Sequence, residues 1–205
     1  MGFRPDVKIQ EPEIQFTLHD TITTLTQRMA EHDPLLYKHA LRVQYLAYRM
    51  TSSLQLTPEE TFTIELAALL HDLGKLEIQA TILYKTSPLT PDEFEMIKQH
   101  CVQGAILLSK FPIIQQIIPL VLHHHERWDG GGYPLGLKQK EIPLGARIIA
   151  VVDAFEAMLS VRAYQGRRTL PEALVELQDC AGTQFDPLLV EHFCTAIAHT
   201  LHNLF

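Results

Sequence analysis

TPEETFTIELAALLHDLGK, from Thr57 to Lys75, carries both the opening and the ending of a helix. Threonine before proline, with glutamate at the third helical position, is a capping signal. The hydroxyl takes a free amide of the first turn, the N–H that proline lacks is not needed there, and the glutamate reaches back to the threonine amide. Thr90-Pro91-Asp92-Glu93 repeats the signature. From Glu65 to Leu70 the segment is apolar on most sides, which predicts a helix surrounded by core, and it ends abruptly at His71-Asp72. Helical spacing continues on the amino-terminal side, at Leu18, Ile22, Leu25 and Met29 and again at Leu36, Val43, Leu46 and Met50. Further helices are predicted from Glu59 to about Leu70, Asp92 to Lys110, Ile113 to His125, Leu144 to Leu159, Pro171 to Asp179, and Pro187 to about His199. Strand alternation is nearly absent. The fold class is all-α, a bundle of seven or more helices, with Lys75–Thr90 and Trp128–Pro143 as its two long connections.

The chain has 205 residues, enough for one domain. Residues 1–15 read as a loosely ordered lead-in and 16–205 as the domain. A compact chain of this size buries about 70% of the surface that its unfolded form exposes, so stability requires neither disulfides nor a structural metal. Any metal here needs a functional reason. Cys101, Cys180 and Cys194 are too scattered for a disulfide framework, which suits a reducing cytoplasm. A net charge of -7 argues against nucleic acid as the main partner. No apolar run is long enough for a membrane span, and no signal peptide opens the chain.

The chemistry lies where polar residues interrupt apolar faces. His39 falls between Leu36 and Val43, His71-Asp72 closes a core helix, and His100 follows Ile97 by three. His124 and His125 end a segment of Ile117, Ile118, Val121 and Leu122, and Asp153 lies four after Ile149. Five imidazoles and two carboxylates are thus expected to point inward from five helices. Two unpartnered buried carboxylates are costly by several kcal/mol each, and clustered imidazoles cannot all be protonated, so divalent cations resolve both problems. Iron, manganese and zinc all suit nitrogen and oxygen donors, with nickel or magnesium admissible. If Asp72 bridges, one metal takes His39, His71, Asp72 and Asp153, and the other takes Asp72, His100, His124 and His125. Such a pair, about 3.5–4 Å apart, holds a bridging hydroxide and hydrolyses phosphoesters. Lys75, one turn after His71, is placed to meet a phosphate oxygen and joins Asp72 as a candidate catalytic residue.

HDLGK (71–75), IKQHCVQG (97–104), HHERWDGGGYP (124–134), RIIAVVDAFEAM (147–158) and AGTQFDP (181–187) together resemble the HD-GYP family of the HD phosphohydrolase superfamily. The resemblance covers about Leu35 to the carboxyl terminus. It implies an HD-domain helical bundle with a GYP-motif loop, and a binuclear or trinuclear iron or manganese centre that hydrolyses cyclic di-GMP to linear pGpG, and in some members to GMP, in bacterial signalling. By match, His39, His71, Asp72, His100, His124, His125 and Asp153 fall on metal ligands and Lys75 on a phosphate-contacting lysine. Tyr133 and Arg162 fall on substrate-contacting positions. Trinuclear members carry glutamate where this chain has Leu35, so two metals are expected. Glu156 stands where aspartate is usual, and VRAYQ (161–165) replaces a DRPYR-like segment. That change keeps two alternatives open: hydrolysis of hybrid cyclic GMP-AMP or a linear dinucleotide, or a catalytically weak sensor or docking module. The resemblance also suggests that the GYP loop docks a cyclase domain.

Other residues have plainer readings. His123 is expected to be solvated or to stand behind the ligands, and His19, His32, His192, His199 and His202 to lie on the surface. Cys101 should be core, pointing about 100° away from His100 around the helix. Glu126 either orients a ligand imidazole or forms a salt bridge on the loop with Arg127. Gly130, Gly131 and Gly132 end a helix and supply positive-φ geometry.

Overall fold

The computed structural model describes residues 17–160 and 168–202, with side chains through residue 197. The expected lead-in and the VRAYQ segment with Arg162 lie outside the described residues, as do the side chains of His199 and His202.

Among the described residues the regular elements are helices, joined by turns and loops, with an isolated bridge between Ala181 and Phe185. The helices are α1 (Leu18–His32), α2 (Pro34–Thr51), α3 (Pro58–Leu70), α4 (Ala80–Leu83), α5 (Pro91–Lys98), α6 (His100–Leu108), α7 (Ile118–Leu122), α8 (Leu144–Leu159), α9 (Leu170–Asp179) and α10 (Pro187–His202). Both expected capping boxes form, at Thr57 and Thr90, and Thr17 and Thr169 add two more. Asp33 closes α1 and opens α2, its carboxylate accepting the amides of Leu35 and Leu36 at 2.9 and 3.0 Å.

Helix α3 is the central element, packed by α2, α7 and α8. Leu66 to Leu70 are all buried, as the all-round apolar run requires. Leu70 and Leu73, both without exposed surface, bracket His71-Asp72. Each leucine contributes about 1.5–3 kcal/mol of burial, so the pair between them is held by core on both sides.

Two predicted helices are broken. The segment 92–110 divides at Gln99 into α5 and α6, because the Gln99 amide turns to Met96 O at 3.2 Å while the His100 ring takes Ile97 O. The segment 113–125 becomes a 3-10 turn (Pro112–Ile117) followed by the short α7, since Pro119 cannot sit inside a continuous helix. The 75–90 connection contains α4 and most of a 3-10 turn (Leu73–Glu77).

Candidate metal centre

His71 caps the end of α3, and Asp72 has φ -98° and ψ 7°, which turns its side chain into the bundle before the 3-10 turn begins. His100 is the first residue of α6, and His124 and His125 follow the end of α7. The expected donors therefore come partly from helix-end turns. Only His39 on α2 and Asp153 on α8 sit in helix interiors. Ends suit this purpose, because the chain can change direction there and bring two neighbouring side chains to one point.

Three imidazoles share one device. The Nδ1 atoms of His71, His100 and His124 lie 2.7, 2.7 and 2.6 Å from the carbonyls of Ala68, Ile97 and Val121, each three residues earlier. A carbonyl only accepts, so each Nδ1 carries the proton and each Nε2 has a free lone pair. His39 does the same with a carboxylate: its Nδ1 lies 2.6 Å from Glu156 Oε2. Such partners fix the tautomer and aim the ring of a metal-ligating histidine.

The Nε2 atoms converge. His39 Nε2 is 3.1 Å from Asp153 Oδ1 and 3.6 Å from Asp72 Oδ2, and His71 Nε2 is 3.3 Å from Asp72 Oδ2. His100 Nε2 is 3.5 Å from Asp72 Oδ1, so Asp72 faces both groups, one oxygen to each. The His125 ring packs 4.1 Å from His124 and 5.0 Å from Tyr133. Among the described residues, three sets can hold a metal ion: His39, His71 and Asp153; His71, Asp72 and His124; and His100, Cys101, His124 and His125.

Two observations test whether a cation fits. His71 Nε2 and Asp72 Oδ1 are buried without a hydrogen-bond partner. His100 Nε2 and His124 Nε2 stand 3.3 Å apart, and with both protons on Nδ1, two lone pairs face each other. A buried polar atom left unpaired costs about 1–3 kcal/mol, and opposed lone pairs add repulsion. A cation between them removes both penalties.

Protonation states agree. Burial, together with neighbouring imidazoles, lowers His124 well below its usual value and brings His125 to about 3, and burial also lowers His100. These rings are neutral at pH 7. Burial opposes ionisation of Asp72, but His71 and Lys75 outweigh it and keep the carboxyl far below its usual range. His39 is the exception: burial works against its charge, yet hydrogen bonds to Asp153 and Glu156 raise it to about 9. Neutral imidazole and ionised carboxylate are the forms that metals bind.

Several residues take other places than expected. His123 is buried rather than solvated, with Nδ1 3.6 Å from Glu126. Glu126 neither orients a ligand nor pairs with Arg127, which binds Asp129 instead at 2.7 Å. Its buried carboxylate accepts the amides of Leu135 (2.7 Å) and Leu137 (3.1 Å), clamping the 128–143 loop. Of the three glycines, only Gly130 has positive φ, at 84°. Gly132 is needed for close approach, since a Cβ there would meet Arg127 N at 2.3 Å. Cys101 is buried as expected, but its sulfur faces the imidazoles at 3.6 Å from His100 Nε2. His19, His32 and His192 are exposed.

Two structural roles escaped the sequence reading, although Glu156 and residues 181–187 themselves fall within its motifs. Glu156 accepts from His39, Arg42 and Ser160 together, and its carboxyl drops to about 2 because these bonds outweigh burial. The signal was present: Glu156 stands one turn after Asp153 and Arg42 one turn after His39. Residues 181–187 brace the loop, with Thr183 and Gln184 carbonyls accepting the amides of Asp129 and Trp128 and Asp186 pairing with Arg147 at 2.6 Å.

Beside the cluster opens a cavity of about 390 Å³, with Lys38, Arg42 and Lys75 among its lining residues. Lys75 Nζ is 2.6 Å from Asp72 Oδ2. No helix of the described residues is long and apolar enough to cross a membrane.

The HD domain family model matches residues 23–189. The chain is 39% identical over 183 residues to a cyclic di-GMP phosphodiesterase of Thermotoga maritima, covering 88% of this chain and 50% of that one. It is 35% identical over 155 residues to 3'3'-cGAMP-specific phosphodiesterase 2 of Vibrio cholerae, covering 75% of this chain and 30% of that one. Among solved structures, Bd1817, a HDG"Y"P protein from Bdellovibrio bacteriovorus, shares the fold with a TM-score of 0.66 at 22% identity, covering 88% of this chain and 59% of the other. The chain thus spans half or less of the length of these curated relatives.

Proposed function

Because the chain belongs to the HD domain family, in its HD-GYP group, we propose that it is a binuclear metal-dependent phosphodiesterase that opens cyclic di-GMP to linear pGpG, with GMP as a further product. The observation that carries this reading is the facing of proton-free His100 and His124 nitrogens beside the unpartnered Oδ1 of Asp72. In this reading His39, His71, Asp72 and Asp153 hold one cation, and Asp72, His100, His124 and His125 hold the other. Iron or manganese suits those donors. Bound there, the cations supply Lewis acidity toward the phosphate and lower the pKa of water toward neutrality.

The chain's own groups do the rest. Lys75 keeps Asp72 ionised and, lining the cavity, has N–H groups left for a non-bridging phosphate oxygen. A fixed ammonium at that point favours the transition state, where charge on those oxygens grows. Lys38 and Arg42 line the same wall, but so do Asp33, Asp72 and Glu156, so the positive field toward a phosphate would come from the bound cations rather than from the side chains alone. Tyr133, its ring against His125, forms the side of the site that the GYP loop contributes, and Arg162 is assigned to substrate phosphate or base. Exposed Leu135 on that loop supports docking to a cyclase domain.

The Vibrio relative's name favours a second reading, in which hybrid cyclic GMP-AMP is the substrate. Anaerobically prepared, iron- or manganese-loaded protein, given cyclic di-GMP and the hybrid in parallel and followed by product chromatography, separates the two. Faster turnover of cyclic di-GMP supports the first reading, and faster turnover of the hybrid replaces it. His71→Ala and Asp72→Ala should abolish turnover while the chain stays helical. Full activity in either variant refutes the site.

A further inference from the structure

Cys101 is the one buried nucleophile at the centre that the mechanism above does not use. It has no exposed surface, and its Sγ lies 3.6 Å from His100 Nε2 and 3.9 Å from Nδ1 of His124. Cys101, His100, His124 and His125 each offer a ligand atom within 4.8 Å of the others. Asp72 Oδ1, buried and without a hydrogen-bond partner, stands 3.5 Å from the same His100 nitrogen.

The spacing is informative. Donors bound at about 2.1 Å for nitrogen or oxygen and about 2.3 Å for sulfur around a five-coordinate ion stand about 3.0–3.6 Å apart, or about 3.1–3.8 Å for a nitrogen–sulfur pair. From His100 Nε2 the distances are 3.3 Å to His124 Nε2, 3.5 Å to Asp72 Oδ1 and 3.6 Å to Cys101 Sγ. All three match donors around one ion. A cysteine serving only as a small apolar filler has no reason to turn its sulfur toward the free Nε2 of His100; the nearby His124 Nδ1 bonds the Val121 carbonyl and is not a donor to the ion.

We propose that Cys101 is a further ligand, as thiolate, of the cation assigned to Asp72, His100, His124 and His125. This rests on the metal-centre reading above. As the metal–sulfur bond forms, the thiol releases its proton to solvent, and no oxidation is involved. The consequence is asymmetry between the two sites. The site of His39, His71 and Asp153 has only nitrogen and oxygen donors, whereas the thiolate site prefers softer ions such as ferrous iron, cobalt or zinc over manganese or magnesium.

The test uses the full chain carrying Cys180→Ser and Cys194→Ser, which leaves Cys101 as its sole thiol; both replaced residues are partly exposed. Under anaerobic conditions it is titrated with cobalt(II). Visible ligand-field bands report cobalt in either site, and a near-ultraviolet sulfur-to-cobalt charge-transfer band reports thiolate ligation. The expected result is a charge-transfer band that saturates at one cobalt per chain. Cys101→Ala should abolish it and weaken cobalt binding at that site at least about tenfold, with manganese binding nearly unchanged. Ligand-field bands without charge transfer overturn the thiolate assignment alone. No ligand-field bands at all overturn the metal centre, and this inference with it. The decisive measurement keeps Cys101 in place, so it does not depend on how well the Cys101→Ala variant folds.

Discussion

Replacing Gly74 with alanine should separate the two halves of the metal centre. Gly74 lies two residues after Asp72 and packs against the first turn of α6, which carries His100. A Cβ there would stand 1.9 Å from His100 O, 2.5 Å from Gly104 N and 2.8 Å from His100 C. These are backbone atoms, so no rotamer change relieves the clash. Moving the His100 carbonyl from 1.9 Å to the 3.0 Å that real contacts require displaces α6 by about 1.1 Å. Metal ligands tolerate deviations of about 0.2 Å, so the His100 Nε2 to Asp72 Oδ1 spacing is lost. Overpacking of this severity costs about 3 kcal/mol, which in a domain of this size lowers Tm by about 6–12 °C. Metal content after anaerobic loading should fall from two ions per chain toward one, because His39, His71 and Asp153 do not sit on α6. Turnover should drop about a hundredfold or more, as expected for a misplacement of about 1 Å. Gly104→Ala is the control: its Cβ would meet Val121 Cγ1 at 3.2 Å and Gly74 N at 3.4 Å, within reach of small adjustments. Elemental analysis and thermal melting of both variants decide the matter. A Gly74→Ala protein with two ions and the parent Tm would show that this contact does not set the spacing.

Glu126→Gln should loosen the loop, because one amide oxygen cannot replace a carboxylate that accepts from both Leu135 and Leu137, and bonds to a charged acceptor contribute about 1.5–3 kcal/mol each. Limited proteolysis should cut within residues 129–141 faster than in the parent, and KM should rise more than kcat falls; an unchanged digestion rate would contradict the clamp. Asp33→Ala removes the α2 cap and should cost about 1–2 kcal/mol at neutral pH. Burial raises the Asp33 carboxyl, but bonds from Tyr84 and the Leu36 and Leu35 amides lower it below its ordinary 3.8. Its stabilisation is therefore complete above that value and fades as pH falls through the lowered one, so the Tm gap between parent and variant should shrink in acid. A gap that is constant with pH would mean that the carboxylate charge is immaterial. Leu35→Glu puts a carboxylate one turn before His39 on the same cavity wall, and should raise the iron content above two per chain. Unchanged content would show that more than this one side chain limits the site to two.

The parts of the fold legible in the sequence are those with local causes. Thr57 and Thr90 cap their helices because cap and partner lie three residues apart, and the apolar run 66–70 has to be core whatever surrounds it. The break at Gln99 was not legible, since it depends on the His100 ring taking the Ile97 carbonyl, a side-chain choice that periodicity does not encode. Pro119 was a local signal for a break that the apolar pattern masked.

The site divides along the same line. The seven expected donors fall into overlapping sets: His39 and Asp153 were legible as polar breaks in apolar helix faces, whereas His71, Asp72, His100, His124 and His125 are brought in by the ends of helices. What holds them is mostly remote in sequence: Glu156 lies 117 residues from His39, and Asp186 lies 39 from Arg147. The backbone carbonyls of Ala68, Ile97 and Val121 carry no residue identity at all, yet they settle the tautomers of three rings. Because those bonds run between residues three apart, each ring is aimed by the turn that carries it, and only the convergence of the turns depends on contacts remote in sequence.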